Sequence, residues 1–378
     1  MSCRFITLDE AQDLGYKELY FTWNGLGDNL ALLYAAELYY KANNKKVLIS
    51  SNIPELYENC FGVDLIESFT INDIRKNEEV LIDTLARYGI QPIFIHALDY
   101  KESFDNPGRN NQTWADKHFF ARYCERFGLS ETIEINPRII LTEQEKKYGR
   151  VFKDNQIAIM SNGLQKYKTF PIAKMQELVD VLKDKYNFIQ IGLSNDVKLK
   201  NVLDYRGKVS IRQIASILYN SNLFVGNISG FMHLARAVSC KSVIAYSLAE
   251  SLNYDSYPCN KNVFSASGCN ACAMRFRYPR IGICYDNYSC IKNINVKDMI
   301  DAVCQAMSEN KGYLETENIE LKSDKVIGLE LYYASKKGFP INKTSDYFNN
   351  NTIKQAMNVN MLGIFDLKIE NIQQEAHI

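Results

Sequence analysis

Three stretches of the chain carry residue types and spacings that could act on a substrate. The first is Asn24-Gly25-Leu26-Gly27-Asp28-Asn29, which follows an aromatic and apolar run from Glu18 to Trp23. Gly25 and Gly27 let a ligand approach the backbone, and Asp28 stands where a helix begins. That carboxylate is either a helix cap or a base within reach of a hydroxyl it could deprotonate. The second stretch is the loop Ser161 to Pro171, in which Lys166 and Lys168 either neutralise a diphosphate or are simply solvated. The third runs from Phe224 to Ala237: Leu223 to Val225 reads as a buried strand, Gly226 to Gly230 as a tight turn, and Phe231 to Val238 as a helix. The first N–H groups of such a helix have no intrahelical partner and point, with the positive end of the dipole, above the sheet edge. A phosphate fits there; so does an ordinary strand-to-helix connection capped by Ser229.

Ten cysteines divide into two sets. Six are scattered, as free and often buried thiols of a cytosolic enzyme would be. Cys269, Cys272, Cys284 and Cys290 form C-x2-C-x11-C-x5-C, a spacing that reads as a metal site, with reduced, partly buried thiols as the alternative. His118, on a helix pattern from Trp114 to Phe127, reads as a surface or packing histidine.

These residues need elements to hold them. After Asn29 a helical pattern to about Ala42 is followed by a strand at Val47-Leu48-Ile49, a β-α-β opening that argues for a parallel sheet. Leu30 occupies the third glycine position of a dinucleotide fingerprint, so NAD is not supported. Further strands are expected at Leu65 to Phe69, Val80 to Ile82 and Pro92 to His96, then a polar loop, Asp99 to Thr113, of the kind that carries acceptor-binding groups. A polar stretch from Leu141 to Lys153 marks a domain boundary. Beyond it, Gln156 to Met160, Phe188 to Ile191, Leu223 to Val225 and Val243 to Tyr246 alternate with helix patterns, and Val296 to Met307 closes the second unit. The expected fold is α/β, with two doubly wound, Rossmann-like domains facing a cleft: residues 1–150 and residues 151–310, with a C-terminal extension, 311–378, of no assigned role.

Composition narrows the function. With 378 residues there is ample material for two cores. Lys plus Arg equal Asp plus Glu at 44 each, so no global field draws the chain to nucleic acid. The start lacks the apolar region of a secretory signal, and no apolar run approaches the roughly 18 residues of a membrane helix. The expected location is cytoplasmic, extending to a peripheral place at the inner membrane.

Taken together, and in this order, Gly25-Leu26-Gly27-Asp28, Lys168-Thr169-Phe170-Pro171, Arg206-Gly207-Lys208-Val209-Ser210, Val225 to Ala235 and the cysteine segment ending Cys290-Ile291-Lys292-Asn293-Ile294 resemble glycosyltransferase family 9, which includes the ADP-heptose:lipopolysaccharide heptosyltransferases. The resemblance covers roughly residues 17 to 310. It implies a glycosyltransferase-B fold and inverting transfer of heptose or a related sugar from a nucleotide diphosphate donor, ADP-heptose being favoured, to a surface glycan such as the lipopolysaccharide core. A protein acceptor and a catalytically silent nucleotide-sugar-binding or scaffolding protein are the alternatives. By the same resemblance, residues 1–150 hold the acceptor and 151–310 the donor. Asp28 is the general base, Lys168 lies beside the diphosphate, and Ser229, Gly230 and His233 form the donor-binding turn and helix. Ile228 stands where the family's turn usually carries Asp, and Asn227 is the neighbouring group that could supply polar contacts instead. The chain contains no D-x-D pair to hold a diphosphate-bound cation, so the transfer is expected to need no metal. The family also implies zinc or iron as the metal that the four cysteines would take, since some protein-modifying members carry an iron-bound cysteine finger.

Overall fold

The computed structural model of the protein describes residues 3–22, 25–66, 78–95, 117–267, 272, 284, 286–309, 314–321 and 329–330. Its strands in the first half are β1 (Phe5–Ile6), β2 (Glu18–Phe21), β3 (Val47–Ile49), β4 (Val63–Ile66), β5 (Gln91–Phe94) and β6 (Thr132–Glu134). In the second half they are β7 (Gln156–Ile159), β8 (Asn187–Gln190), β9 (Leu203–Asp204), β10 (Leu223–Asn227), β11 (Ser242–Ala245) and β12 (Asn260–Val263), followed by β13 (Asn318–Glu320) and β14 (Leu329–Glu330). β3, β4, β7, β10 and β11 are buried along their whole length, as suits strands covered on both faces.

The first sheet has the order β1-β4-β3-β2-β5-β14 and is parallel except at β14. The second has the order β12-β11-β10-β7-β8-β9 and is parallel throughout. In the second sheet the chain builds outward from β7 in one direction, then returns to its other side and builds outward from β10. The strand order therefore reverses between β7 and β10, and in the first sheet between β2 and β5. At such reversals the connections leave in opposite directions and open a crevice at the carboxyl ends of the strands. The turn with Asp28 follows β2, the loop with Lys168 follows β7, and the turn with Ser229 follows β10.

Three departures from the expected elements are instructive. Val80, Leu81 and Ile82 lie within a helix, Glu78–Arg87, rather than a strand. Leu81 and Leu85 are spaced i, i+4, with acidic residues leading and Arg87 closing, and that period outweighs a three-residue apolar run. Strand β10 continues through Gly226 and Asn227, so the turn is shorter than expected and the following helix spans Gly230–Ala237. Part of the C-terminal extension returns to the first half, where β13 pairs antiparallel with β6, and β14 with β5. The loop Asp99 to Thr113, Trp114, His96, Cys269 and the end of the extension lie outside the described residues.

One core joins both halves. Leu30, Leu33 and Tyr34 of the helix Leu26–Asn43 and Phe119 and Phe120 of the helix Phe119–Arg126 belong to the same buried cluster as Ile228, Met232 and Tyr257. A second cluster, including Ile157, Leu178, Val225 and Val303, fills the other face of the second sheet. Among the described residues no helix is long and apolar enough to cross a membrane.

Candidate active site

The helix Leu26–Asn43 begins with Gly25 at its cap, and Asp28 lies in its first turn, half-buried. Asp28 is thus not the cap residue. Its carboxylate folds back over the turn: a methyl group on Gly25 would lie 2.5 Å from Oδ2. The side chain of Tyr123, fully buried on the helix Phe119–Arg126, donates a hydrogen bond of 3.0 Å to Asp28 Oδ1. Its hydroxyl also lies 2.6 Å from Thr22 Oγ1 at the end of β2. Asn29 secures the next position. Its amide donates to Gly25 O, while its Oδ1 accepts from Ser51 and Tyr57 at 2.7 and 3.1 Å. Hydrogen bonds of this kind contribute about 0.5–1.5 kcal/mol each and leave the turn little freedom.

The turn after β10 meets this one directly. A methyl on Gly230 would lie 2.6 Å from Leu26 Cβ and 3.2 Å from the Gly27 nitrogen, and one on Gly27 would lie 2.9 Å from His233 Cδ2. Two helix N-termini therefore abut, and only glycine permits the approach. His233 is buried, with Nδ1 2.9 Å from the Tyr257 hydroxyl and its ring edge-on to Phe119 at 4.9 Å. Burial, reinforced by His118 and by the Lys168 charge, pushes its imidazole well below the ordinary histidine value, so the ring is neutral. His118 is a packing residue, fully buried, and burial lowers it to about 3.

Ser229 occupies the cap position of the helix Gly230–Ala237, but its hydroxyl makes no capping bond. Its Oγ is buried and has no hydrogen-bond partner among the described residues. Asn227 is fully buried and serves the scaffold: its Oδ1 accepts from the Phe170 N–H at 2.8 Å and its Nδ2 donates to Ser161 O at 3.4 Å. Those bonds fix the Lys168 loop to the end of β10. Ile228 is 1% exposed and part of the core.

Lys168 ends a short 3-10 turn, Lys166–Lys168, and its ammonium pairs with Glu250 at 2.8 Å. Glu250 is 3% exposed and also accepts from the Tyr167 hydroxyl at 2.7 Å. The Lys168 charge lowers the His233 imidazole further and that of Glu250 opposes it.

Cys272 and Cys290 are buried in a small cluster with Tyr167 and Ala249, beneath the Lys168 loop. Cys290 Sγ lies 3.3 Å from Ser247 Oγ, and Cys284 Sγ accepts the Tyr288 N–H at 3.2 Å. Among the described residues no three His, Cys, Asp or Glu side chains form a group that could hold a metal ion. Cys272, Cys284 and Cys290 thus do not assemble such a site by themselves.

Residues 130–281 match the model of glycosyltransferase family 9 (heptosyltransferase). The match takes in the Lys168 loop, the Ser229 turn and part of the cysteine segment. Comparison with curated protein sequences finds no match. Among solved structures, the chain is similar to the iron-containing dodecameric glycosyltransferase TibC of enterotoxigenic Escherichia coli, at 14% identity over 77% of this chain and 78% of TibC, with a TM-score of 0.57. It is similar to a family 9 glycosyltransferase of Veillonella parvula, at 15% identity over 82% and 99% of the two chains, also with a TM-score of 0.57. It is similar as well to ADP-heptose lipopolysaccharide heptosyltransferase II of E. coli, at 13% identity over 77% and 98%, with a TM-score of 0.54. At these identities the likeness is one of fold, and the fold is glycosyltransferase-B.

Four residues central to this arrangement carry no signal that sequence reasoning could use. Tyr123 is 95 positions from Asp28, and Glu250 is 82 from Lys168. Asn29 adjoins Asp28 but reads as an ordinary helix residue, and Arg212 as a surface cation. Arg212 is 6% exposed; its guanidinium pairs with Glu145 and donates to Glu55 O, Glu58 O and Ile140 O, joining the first half, the connecting segment and the second half.

Proposed function

We propose that the protein is an inverting glycosyltransferase that moves heptose or a related sugar from a nucleoside diphosphate donor to an acceptor hydroxyl. The observation that carries this reading is the meeting of the Asp28 turn with the helix N-terminus at Gly230, beside His233. In this reading residues 1–150 hold the acceptor and residues 151–310 the donor. Lys168 and the N-terminal N–H groups of the helix Gly230–Ala237 take up charge on the departing diphosphate, the helix end contributing about 0.3–1 kcal/mol and up to about 2 when partly buried. The acceptor oxygen attacks the anomeric carbon from the face opposite the diphosphate, the C–O bond to phosphate breaks, and the acceptor proton passes to the Asp28 carboxylate. Neutral His233 can accept or donate a hydrogen bond but brings no charge to the crevice. The transfer draws on these groups alone, and Cys272 and Cys290 pack against Tyr167. The acceptor that fits this reading is a surface glycan such as the lipopolysaccharide core; a protein acceptor shares the same hydroxyl chemistry.

Incubation with ADP-heptose and an acceptor extract tests the reading. ADP release is expected from the wild type and a loss of at least about a hundredfold from Asp28→Ala, the usual scale for a general base. Full activity in Asp28→Ala removes the carboxylate from the mechanism. One observation favours a second reading, a donor-binding protein without turnover: the position before Ser229 is a buried isoleucine. Calorimetry showing ADP-heptose binding with no transfer to any extract is its expected result, and sustained transfer excludes it.

A further inference from the structure

We propose that Tyr123 is the positioning residue for Asp28, with Thr22 as the group that sets the direction of its hydrogen bond. The proposal rests on the reading of Asp28 as the base.

The proton count fixes the direction. The phenol of Tyr123 has one hydrogen, and a carboxylate can only accept, so that hydrogen points to Asp28 Oδ1, 3.0 Å away. The Thr22 hydroxyl, 2.6 Å from the same phenol oxygen, must then donate its own hydrogen to it. The result is a one-way chain, Thr22 to Tyr123 to Asp28, ending on the carboxylate. Burial holds the Tyr123 phenol well above its ordinary pKa, and the Asp28 charge reinforces this, so it stays a donor and does not compete as a base.

The chain also clamps the turn. Thr22 and Asp28 are six positions apart, at the two ends of the glycine turn between β2 and the helix, and one hydroxyl from a different helix holds both. Thr22 is 4% exposed and Tyr123 fully buried, so water does not replace either group cheaply. The helix that carries Tyr123 is itself fixed across the crevice, because Phe119, one turn earlier, packs on His233. Tyr123 therefore references the carboxylate to the wall that faces the donor. A base must be held within a fraction of an ångström of its proton, and a misplacement of about 1 Å costs on the order of a hundredfold.

The test uses the full chain with ADP-heptose as donor. In Tyr123→Phe, kcat is expected to fall about tenfold or more with donor KM within about twofold of wild type, and Thr22→Val is expected to do the same more weakly. Adding Tyr123→Phe to Asp28→Ala is expected to cause no further loss of kcat, and the Tm losses of the two variants are expected to be non-additive. Losses that add in the double variant, in kcat or, where turnover is absent, in Tm, overturn the proposal. So does a Tyr123→Phe enzyme with wild-type kcat. Wild-type activity in Asp28→Ala would instead remove the base reading on which the proposal rests, so the two failures are told apart.

Discussion

Gly230→Ala tests the contact on which the crevice depends. The added methyl would sit 2.6 Å from Leu26 Cβ and 3.2 Å from the Gly27 nitrogen, atoms fixed to the backbone of a helix start and unable to rotate away. Ordinary contact begins near 3.4 Å, so the two helix N-termini must separate by close to 1 Å. Overpacking of this kind costs about 1–3 kcal/mol. For a chain of this size that is a Tm decrease of roughly 2–10 °C. The effect on the proposed transfer should be larger, because the displacement moves Asp28 away from the Gly230 turn; a shift of about 1 Å corresponds to a loss of about a hundredfold in turnover. Thermal unfolding and ADP release from ADP-heptose measure the two. Ser229→Ala, one residue earlier, is the control: its Oγ has no hydrogen-bond partner among the described residues, so Tm should change by no more than about 0.5 kcal/mol equivalent. A Gly230→Ala protein with wild-type Tm and turnover would refute the close approach as the organising contact.

Other outcomes follow from the same geometry. Lys168→Met leaves Glu250, 3% exposed, without its cation, so both a Tm decrease and at least a tenfold weaker donor Kd by calorimetry are expected; an unchanged Kd would take Lys168 out of the donor site. Arg212→Met removes the guanidinium from Glu145 and three carbonyls and should cost about 2–4 kcal/mol in urea unfolding, against less than 1 for an exposed arginine. The same pair lowers Glu145 to about 2 through its bond to Arg212, so its stabilisation is complete above about pH 4.5 and is lost as the pH falls toward 2. His118 and His233 are held neutral by burial, which lets the unfolded chain bind protons the folded one refuses. Stability should therefore decline as the pH falls below about 6.5, by up to about 1.4 kcal/mol per pH unit for each ring. A Tm that is flat between pH 7 and 5 would contradict it.

Much of the fold was legible because parallel strands buried on both faces announce themselves as apolar runs, and because the glycine turns fall at the ends of such runs. Gly25, Gly27 and Gly230 were visible as turn residues; that they press against one another was not, since no pattern along the chain reports which two turns share a crevice. The length of β10 was misjudged because Gly226 and Asn227 are poor strand formers, held there by pairing with Ile244 and Ala245. The hydrogen-bond partners of Asn227, Phe170 and Ser161, lie on another loop and leave no pattern along the chain. Val80 to Ile82 failed for the opposite reason: a short apolar run is ambiguous until the flanking i, i+4 spacing is weighed. The carboxylate and the lysine could be named from sequence, but the groups that aim them, Tyr123 and Glu250, come from distant segments.

The return of β13 and β14 to the first half has a mechanical meaning. The chain leaves the first sheet through the segment that follows β6, builds the second, and comes back to pair with β6 and β5. Two covalent crossings therefore connect the halves instead of one. A single tether leaves every relative rotation of the two halves open; a second removes some of them.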